Sequence, residues 1–588
     1  MRAALLVAML CAPLLPGAEA GRILMVVERG FNVQEAWAPW AALTGAGWRI
    51  EIAGPRPGTV SAALDGTPSE RDLQASIAYA GQRPEDYAAV IVPGGYSPGF
   101  LEKDPAAVAL VAAAAASGRP LGMICHGPRV LLAAGAARGR VITSLHTVPD
   151  ELAQSWADGA YGTWIDEAAV TDGWLVTSRS PIDVDAFATA LLDRLARSTG
   201  VPRPQANARV LVLSETMTRH QRWLWSCLAP LGIQTRAIPA AELAKQLAQG
   251  APAVVAIADL PADPAPVLAA IATSGASVLA AAPIAGQVPG AAVLPDSLPE
   301  RLRAVALAAL ARPGPAPAPP APPSLILAVQ AGFPAAAAAA IIADASLGGG
   351  VRVVAAEPGA VAGVGGAVLA SADQPMPGVP RLELGSDGLR LPPADAALAA
   401  RIAVAIAAPG PAPDAAVEIL VLHDGFDGMA VAAIRARVAP APLLIVGPAA
   451  GPVRGLNGVT LTAHRSLSEV TPHAGQRIWL PGGLWPRKRP DARQAQAVDW
   501  IDAQDRRDAA CRDWFHGALA AGVRAVSIGF DSHAMGDDPR AAGLAIAASE
   551  QVLWSFAKGN GRYDRAPLVQ TTPQWTTLRH WHDLAALP

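Results

Sequence analysis

The sequence predicts an α/β protein made of several doubly wound parallel sheets in tandem. Three observations carry this reading. Four stretches open alike, with an apolar strand, a turn and a candidate helix: RILMVVERGF from Arg22, RVLVLSETMT from Arg209, SLILAVQAGF from Ser324 and EILVLHDGFD from Glu418. Proline-rich linkers at 199–207, 313–323 and 409–415 separate them. Inside the first stretch, strands alternate with helices, which is the pattern of parallel βαβ units. At 588 residues the chain exceeds what one core holds. The linkers divide it into segments 21–198, 208–312, 324–408 and 416–588, behind a leader over 1–20.

The first segment is the most legible. Ile23 to Val27 reads as a buried strand, Gln34 to Thr44 as a helix stopping near Gly45 and Gly47, and Trp48 to Ala53 as the next strand. Ala88 to Val92 runs into Pro93-Gly94-Gly95. Pro105 to Ala116 is helical, Pro120 to Ile124 is a strand ending at Cys125, and Arg129 to Ala137 is helical. In a doubly wound sheet, ligands bind at the carboxyl ends of the strands.

Composition narrows the function. Hydrophobic residues make up 52% and charged ones 16%, a globular balance. The net charge is -3 and no basic block occurs, so nucleic acid is not an expected partner. Arg2, the run AALLVAMLCAPLLP and Ala18-Glu19-Ala20 read as a secretory signal, too short and too rich in proline to span a membrane. The expectation is an exported protein, periplasmic or secreted, with no membrane span after cleavage. A hydrophobic cytosolic N-terminus, or an uncleaved anchor, is the alternative. Cleavage would leave Cys125, Cys227 and Cys511, an odd number, with Cys227 and Cys511 a candidate pair. No Cys-x-x-Cys or Cys/His spacing suggests a metal, and no cofactor is expected.

Cys125 lies in LGMICHGPRVLLAAG, between a strand and a helix. Gly127 allows a tight turn, and Pro128 suits the first position of a helix. A thiol there sits near helix amides that favour thiolate, the form that attacks. This is the logic of a strand–nucleophile–helix elbow. A buried structural cysteine is the alternative.

The ordered motifs VIVPGG, ICHGP thirty residues after the second glycine, and DGWLVTSRSP resemble the PfpI-type intracellular protease family, in the DJ-one superfamily. The resemblance covers about residues 21–198 and implies a flavodoxin-like sheet of the class I glutamine amidotransferase type. It also implies roles. Glu35, four residues before Pro39 in GFNVQEAWAP, would hydrogen-bond and tune the cysteine sulfur. Gly94 and Gly95 would bring amides that stabilise an oxyanion, and His126 would be the acid/base partner. Their bland readings are an exposed helix residue, a plain turn and a diverging neighbour. The family's proteases carry a Glu four residues after Gly-Gly. Here that position is Gly99, which tilts the expectation away from proteolysis by that route and toward small carbonyl or amide substrates. Asp150 and Glu151 are candidates to orient the histidine, and either could equally cap a helix.

Aligned on their openings, the later segments replace Glu35 by Arg222, Ala337 and Ala430. Cys125 becomes Ala282 in the second segment and Gly529 in the fourth. These read as degenerate copies that take the place of a second subunit as an intramolecular pseudo-dimer, although a homodimer also remains open. Asp531-Ser532-His533 is not read as a second active site, because adjacent Ser and His do not make a triad, and His580 with His582 is read as part of an ordinary surface tail, with metal ligation the alternative. The expected function is a cysteine-nucleophile enzyme acting on a small-molecule or peptide carbonyl or amide, as a hydrolase or a glyoxalase- or deglycase-like enzyme. A non-catalytic redox sensor or stress-related binding scaffold is the alternative.

Overall fold

The computed structural model describes residues 21–145, 148, 162–165, 167–312, 323, 325–331, 333–342, 351–356, 358–364, 366–373, 381–385, 388–390, 418–422, 426–438, 441–455, 459–481, 510–528, 568–570, 575–578, 584 and 587. The leader, Asp150, Glu151, Gly529, residues 531–533, His580 and His582 lie outside them.

The first sheet holds β1 (Arg22–Val26), β2 (Arg49–Gly54), β3 (Ile77–Ala78), β4 (Ala89–Val92), β5 (Leu121–Ile124), β6 (Ala169–Asp172) and β7 (Leu175–Ser178). Their spatial order is β6-β7-β5-β4-β1-β2-β3. Strands β2, β1, β4 and β5 run parallel, with Met25 opposite Ile52 and Ile91, and Val92 opposite Met123. Ile23 to Val26 are wholly buried, as expected of a parallel strand covered on both faces.

The second sheet is all parallel: β8 (Ala208–Leu213), β9 (Ile233–Ile238), β10 (Val254–Ile257), β11 (Ser277–Ala281) and β12 (Ala292–Leu294), in the order β9-β8-β10-β11-β12. The third contains β13 (Leu325–Val329), β14 (Phe333–Pro334), β15 (Val351–Ala355), β16 (Gly359–Val364), β17 (Gly366–Ala372), β18 (Arg381–Gly385) and β19 (Gly388–Arg390), ordered β14-β16-β17-β15-β13-β18-β19. The fourth contains β20 (Glu418–Val421), β21 (Leu443–Gly447), β22 (Arg465–Ser466), β23 (Arg477–Leu480), β24 (Arg524–Ile528), β25 (Leu568–Gln570) and β26 (Trp575–Leu578), ordered β22-β21-β20-β23-β24-β26-β25.

Each sheet winds outward in both directions from its opening strand. β1 lies between β2 and β4, β8 between β9 and β10, β13 between β15 and β18, and β20 between β21 and β23. This is the doubly wound, flavodoxin-like α/β architecture, and it places a crevice above the end of the opening strand, where the winding changes direction.

The helices that matter for the site are α1 (Val33–Gly45), α2 (Pro105–Ser117), α3 (Pro128–Ala133) and α4 (Val184–Thr199). From the second segment come α5 (Arg219–Ser226) and α6 (Leu298–Leu310). Asn32 caps α1, its Oδ1 accepting from Gln34 N at 3.0 Å and Glu35 N at 3.3 Å. Asp104 caps α2, Pro105 opens it, and Gly118 closes it at φ 67°. Helix α3 is shorter than the sequence suggested. It stops at Ala133 because Gly135 turns left-handed at φ 68°, and the N–H groups of Gly135 and Ala136 close onto Leu132 and Leu131.

The described residues gather into two compact units. One takes those in Met1–Met123 and Val184–Pro317, the other those in Ile124–Asp183 and from Ala318 on. In the first, α1 packs against α4, α5 and α6. At its far end Gly45 lies under the second segment: a Cβ there would stand 2.6 Å from Leu228, 3.1 Å from Leu231 and 3.6 Å from Ala306. Near its start, the Trp37 ring stands edge-on to Trp40 at 5.0 Å and to His220 at 5.4 Å, and His220 stacks on Trp223 at 5.8 Å. Cys227, at the end of α5, is a free buried thiol, so the candidate pairing with Cys511 is not made. Burial, with the nearby charge of Asp185, pushes that thiol well above its ordinary range. In the second unit, α7 (Ala335–Ile342) and α8 (Gly428–Val438) pack together, and the third and fourth sheets share one core that includes Leu327, Phe333, Leu420 and Phe426. No helix among the described residues is long and apolar enough to cross a membrane.

The buried His220 has a pH consequence. Desolvation holds its imidazole below the ordinary value of about 6.5; the charge of Glu70 opposes this and that of Arg71 adds to it. The unfolded chain therefore takes up the proton first as pH falls. Stability from this group is complete above about 6.5 and declines as pH drops toward the folded value. Urea unfolding between pH 7.5 and 5 should show this decline, and His220→Phe should flatten it.

Candidate active site

The first sheet brings two loops together above the ends of β1 and β4. Asn32 N donates to Gly94 O at 3.0 Å, Tyr96 N donates to Gly30 O at 2.8 Å, and Phe31 and Gly95 form a bridge between these bonds. Gly95 is at φ +79°, and a Cβ would lie 2.5 Å from Asn32 N and 2.6 Å from Gly30 O. Only glycine fits that approach.

Glu35 is wholly buried, on the first turn of α1. Its Oε2 accepts the Gly94 N–H at 2.9 Å. The reading of Glu35 as an exposed helix residue is therefore corrected. So is the expectation that the Gly94 amide serves an oxyanion, because that N–H is committed to the Glu35 carboxyl group. Gly99, where the family's proteases have a Glu, lies buried in the short helix Ser97–Leu101.

Cys125 follows β5, and α3 begins three residues later at Pro128. It has φ 62° and is the only non-glycine with positive φ among the described residues. The sequence suggested that Gly127 would absorb the tight turn, yet Gly127 is ordinary helical backbone at φ -49°. The strained conformation falls on the cysteine itself. Three hydrogen bonds hold it: Cys125 N to Ser178 O at 2.9 Å, Leu145 N to Cys125 O at 3.0 Å, and Gly127 N to Ile124 O at 2.8 Å. A left-handed residue of this kind costs about 1–3 kcal/mol and persists only where its surroundings over-determine it.

The Cys125 thiol is 95% buried and its Sγ lies 3.4 Å from His126 Nδ1. Adjacency in sequence becomes contact here because the left-handed turn folds the two side chains to one side. Sequence reasoning passed over the pair Arg179 and Asp183. Arg179 Nε and Nη2 donate to Asp183 Oδ2 and Oδ1 at 2.9 and 3.0 Å, buried, directly after the Ser178 carbonyl that receives the Cys125 N–H. The signal was an Arg and an Asp four residues apart in SRSPID. Asp150 and Glu151 lie outside the described residues, and no cluster that would hold a metal occurs within them.

Two outcomes follow from the strain. Cys125→Gly should be more stable than Cys125→Ala by about 1 kcal/mol in urea unfolding, because only glycine is relaxed at this φ. Gly95→Ala should lose about 2 kcal/mol or more, because its Cβ meets backbone that has no room to yield.

Residues 21–194 match the DJ-1/PfpI family. An uncharacterised protein of Archaeoglobus fulgidus is 31% identical over 178 residues, which is 30% of this chain and 99% of that protein. Proteins named as deglycases from Thermococcus kodakarensis and Pyrococcus horikoshii are 29% and 28% identical over 166 residues, covering 28% of this chain and 94% of each relative. A whole relative is thus contained in the segment that carries the strained cysteine, the buried acid and the glycine loop, and through that segment the chain belongs to the DJ-1/PfpI family.

Proposed function

We propose that the chain is a cysteine-dependent enzyme that acts on reactive carbonyl compounds or on the adducts they leave on amines. The observation that carries this reading is the strained Cys125, at φ 62° with its sulfur 3.4 Å from His126 Nδ1. Strain on a nucleophile at a strand end is the mark of a presented side chain, and a cysteine kept only for packing gains nothing from it. The proton on Sγ passes to His126, the thiolate forms a bond to the carbonyl carbon, and the carbonyl electron pair moves onto oxygen. The Gly95 amide is assigned to that oxygen, since the Gly94 amide serves Glu35. Glu35 is assigned to tune the thiol. Gly99 brings no carboxylate, so the protease route is disfavoured, and the deglycase names of the two archaeal relatives favour small carbonyl adducts.

Turnover of methylglyoxal and of methylglyoxal-treated acetyl-arginine and acetyl-lysine, compared between the natural chain and Cys125→Ala, tests the assignment. Loss of activity by at least about a hundredfold is expected, the scale on which catalytic groups act. Equal rates would overturn it. Glu35→Gln keeps an oxygen for the Gly94 N–H and loses the charge, whereas Glu35→Ala loses both. The pH midpoint of Cys125 alkylation should move in each, and the loop should loosen only in Glu35→Ala. Residues 1–20 are assigned to export. A mature N-terminus at Gly21 is the expected result of sequencing the protein from the cell envelope, and an intact Met1 would contradict it.

A further inference from the structure

We infer that residues 208–312 clamp helix α1, and that Trp37 and His220 are positioning residues which keep Glu35 in register with Gly94. The inference rests on the reading above, in which Glu35 tunes the Cys125 thiol.

The backbone ladder of helix α1 is interrupted just after Glu35. Pro39 lies inside it, four residues after Glu35. Proline has no N–H, so the Glu35 carbonyl loses its helical donor, and the ring crowds that same carbonyl. The weak point of the helix therefore falls on the residue whose carboxyl group must reach the Gly94 N–H at 2.9 Å. A slip of about 1 Å would break that bond, and misplacements of this size cost on the order of a hundredfold in rate.

The second segment grips α1 on both sides of Pro39. Before it, Trp37 stands edge-on to His220, and its indole N–H donates to Arg71 O at 2.8 Å. After it, Leu228, Leu231 and Ala306 close over Gly45, where the lack of a side chain permits the approach. His220 fills the slot between Trp37 and Trp223, and its buried Nε2 has no hydrogen-bond partner among the described residues. Among the described residues, the ionisable neighbours whose charges act on His220 are Glu70 and Arg71. The grip stays within one compact unit, which holds α1, Gly94 and residues 208–312.

The test uses the full chain with Trp37→Ala, His220→Ala, the conservative Trp37→Phe, and Val255→Ala. Val255 is buried in the second sheet's own core, so its truncation weakens the segment without touching α1. Two quantities are read: the pH midpoint of iodoacetamide alkylation at Cys125, followed by peptide mass spectrometry, and kcat and KM on methylglyoxal. Trp37→Ala and His220→Ala should move the midpoint toward that of Glu35→Ala and lower kcat roughly tenfold or more with KM little changed. Trp37→Phe should restore both, and Val255→Ala should leave both in place. If Glu35→Ala moves the midpoint while Trp37→Ala and His220→Ala do not, the clamp is wrong and the reading of Glu35 stands. Equal shifts in Val255→Ala would also overturn the clamp, by reducing it to general destabilisation. If Glu35→Ala leaves the midpoint unchanged, the reading beneath falls and the clamp falls with it.

Discussion

The hydrogen bond from Gly94 N–H to the buried Glu35 carboxyl group is the constraint around which the first sheet's binding face is arranged. It joins the helix that follows β1 to the loop that follows β4, across the point where the sheet reverses its winding. A carboxyl group with no exposed surface needs such donors, since burying it without them costs several kcal/mol. The Phe31–Gly95 bridge and the Asn32 cap draw the same two loops together, and Gly95 is the residue that lets the backbones approach. Helix position and loop conformation are thus set jointly.

The elbow answers the same logic from its own side. Cys125 breaks the rule that non-glycine residues avoid positive φ, and its backbone is tied at both ends to hold it there. The Ser178 carbonyl that receives its N–H is followed by the Arg179–Asp183 fork, which fixes the chain where it leaves β7. A local rule broken inside a well-satisfied network is what a functional site looks like, because strain is tolerated only where the surroundings leave the chain no alternative.

The second sheet repeats the outward winding of the first. In the second sheet, the strand that corresponds to β5 is β11, and Ala282 follows it. A methyl group there leaves no nucleophile. What the second segment contributes instead is surface: tryptophan, histidine and leucine side chains set against the helix that bears Glu35. The sequence marked Gly45 only as a helix stop and did not single out Trp37, His220 or Leu228, because nothing local distinguishes a tryptophan that packs within its own domain from one that packs against a later one.

The sequence by itself determined the doubly wound architecture, the strand that ends at Cys125, the Gly94-Gly95 turn and the candidacy of Glu35. The first three depend on short-range signals, such as apolar runs and glycine and proline punctuation, and the candidacy of Glu35 depends on the resemblance of the motifs to a known family. Only the tertiary structure decided that the left-handed turn falls on Cys125 rather than Gly127, that the Gly94 amide belongs to Glu35, and that Cys227 stays a free thiol. These outcomes depend on which strands and loops become neighbours, and on which buried donor must satisfy which buried acceptor. That pairing exists only once residues far apart in the chain have been packed together.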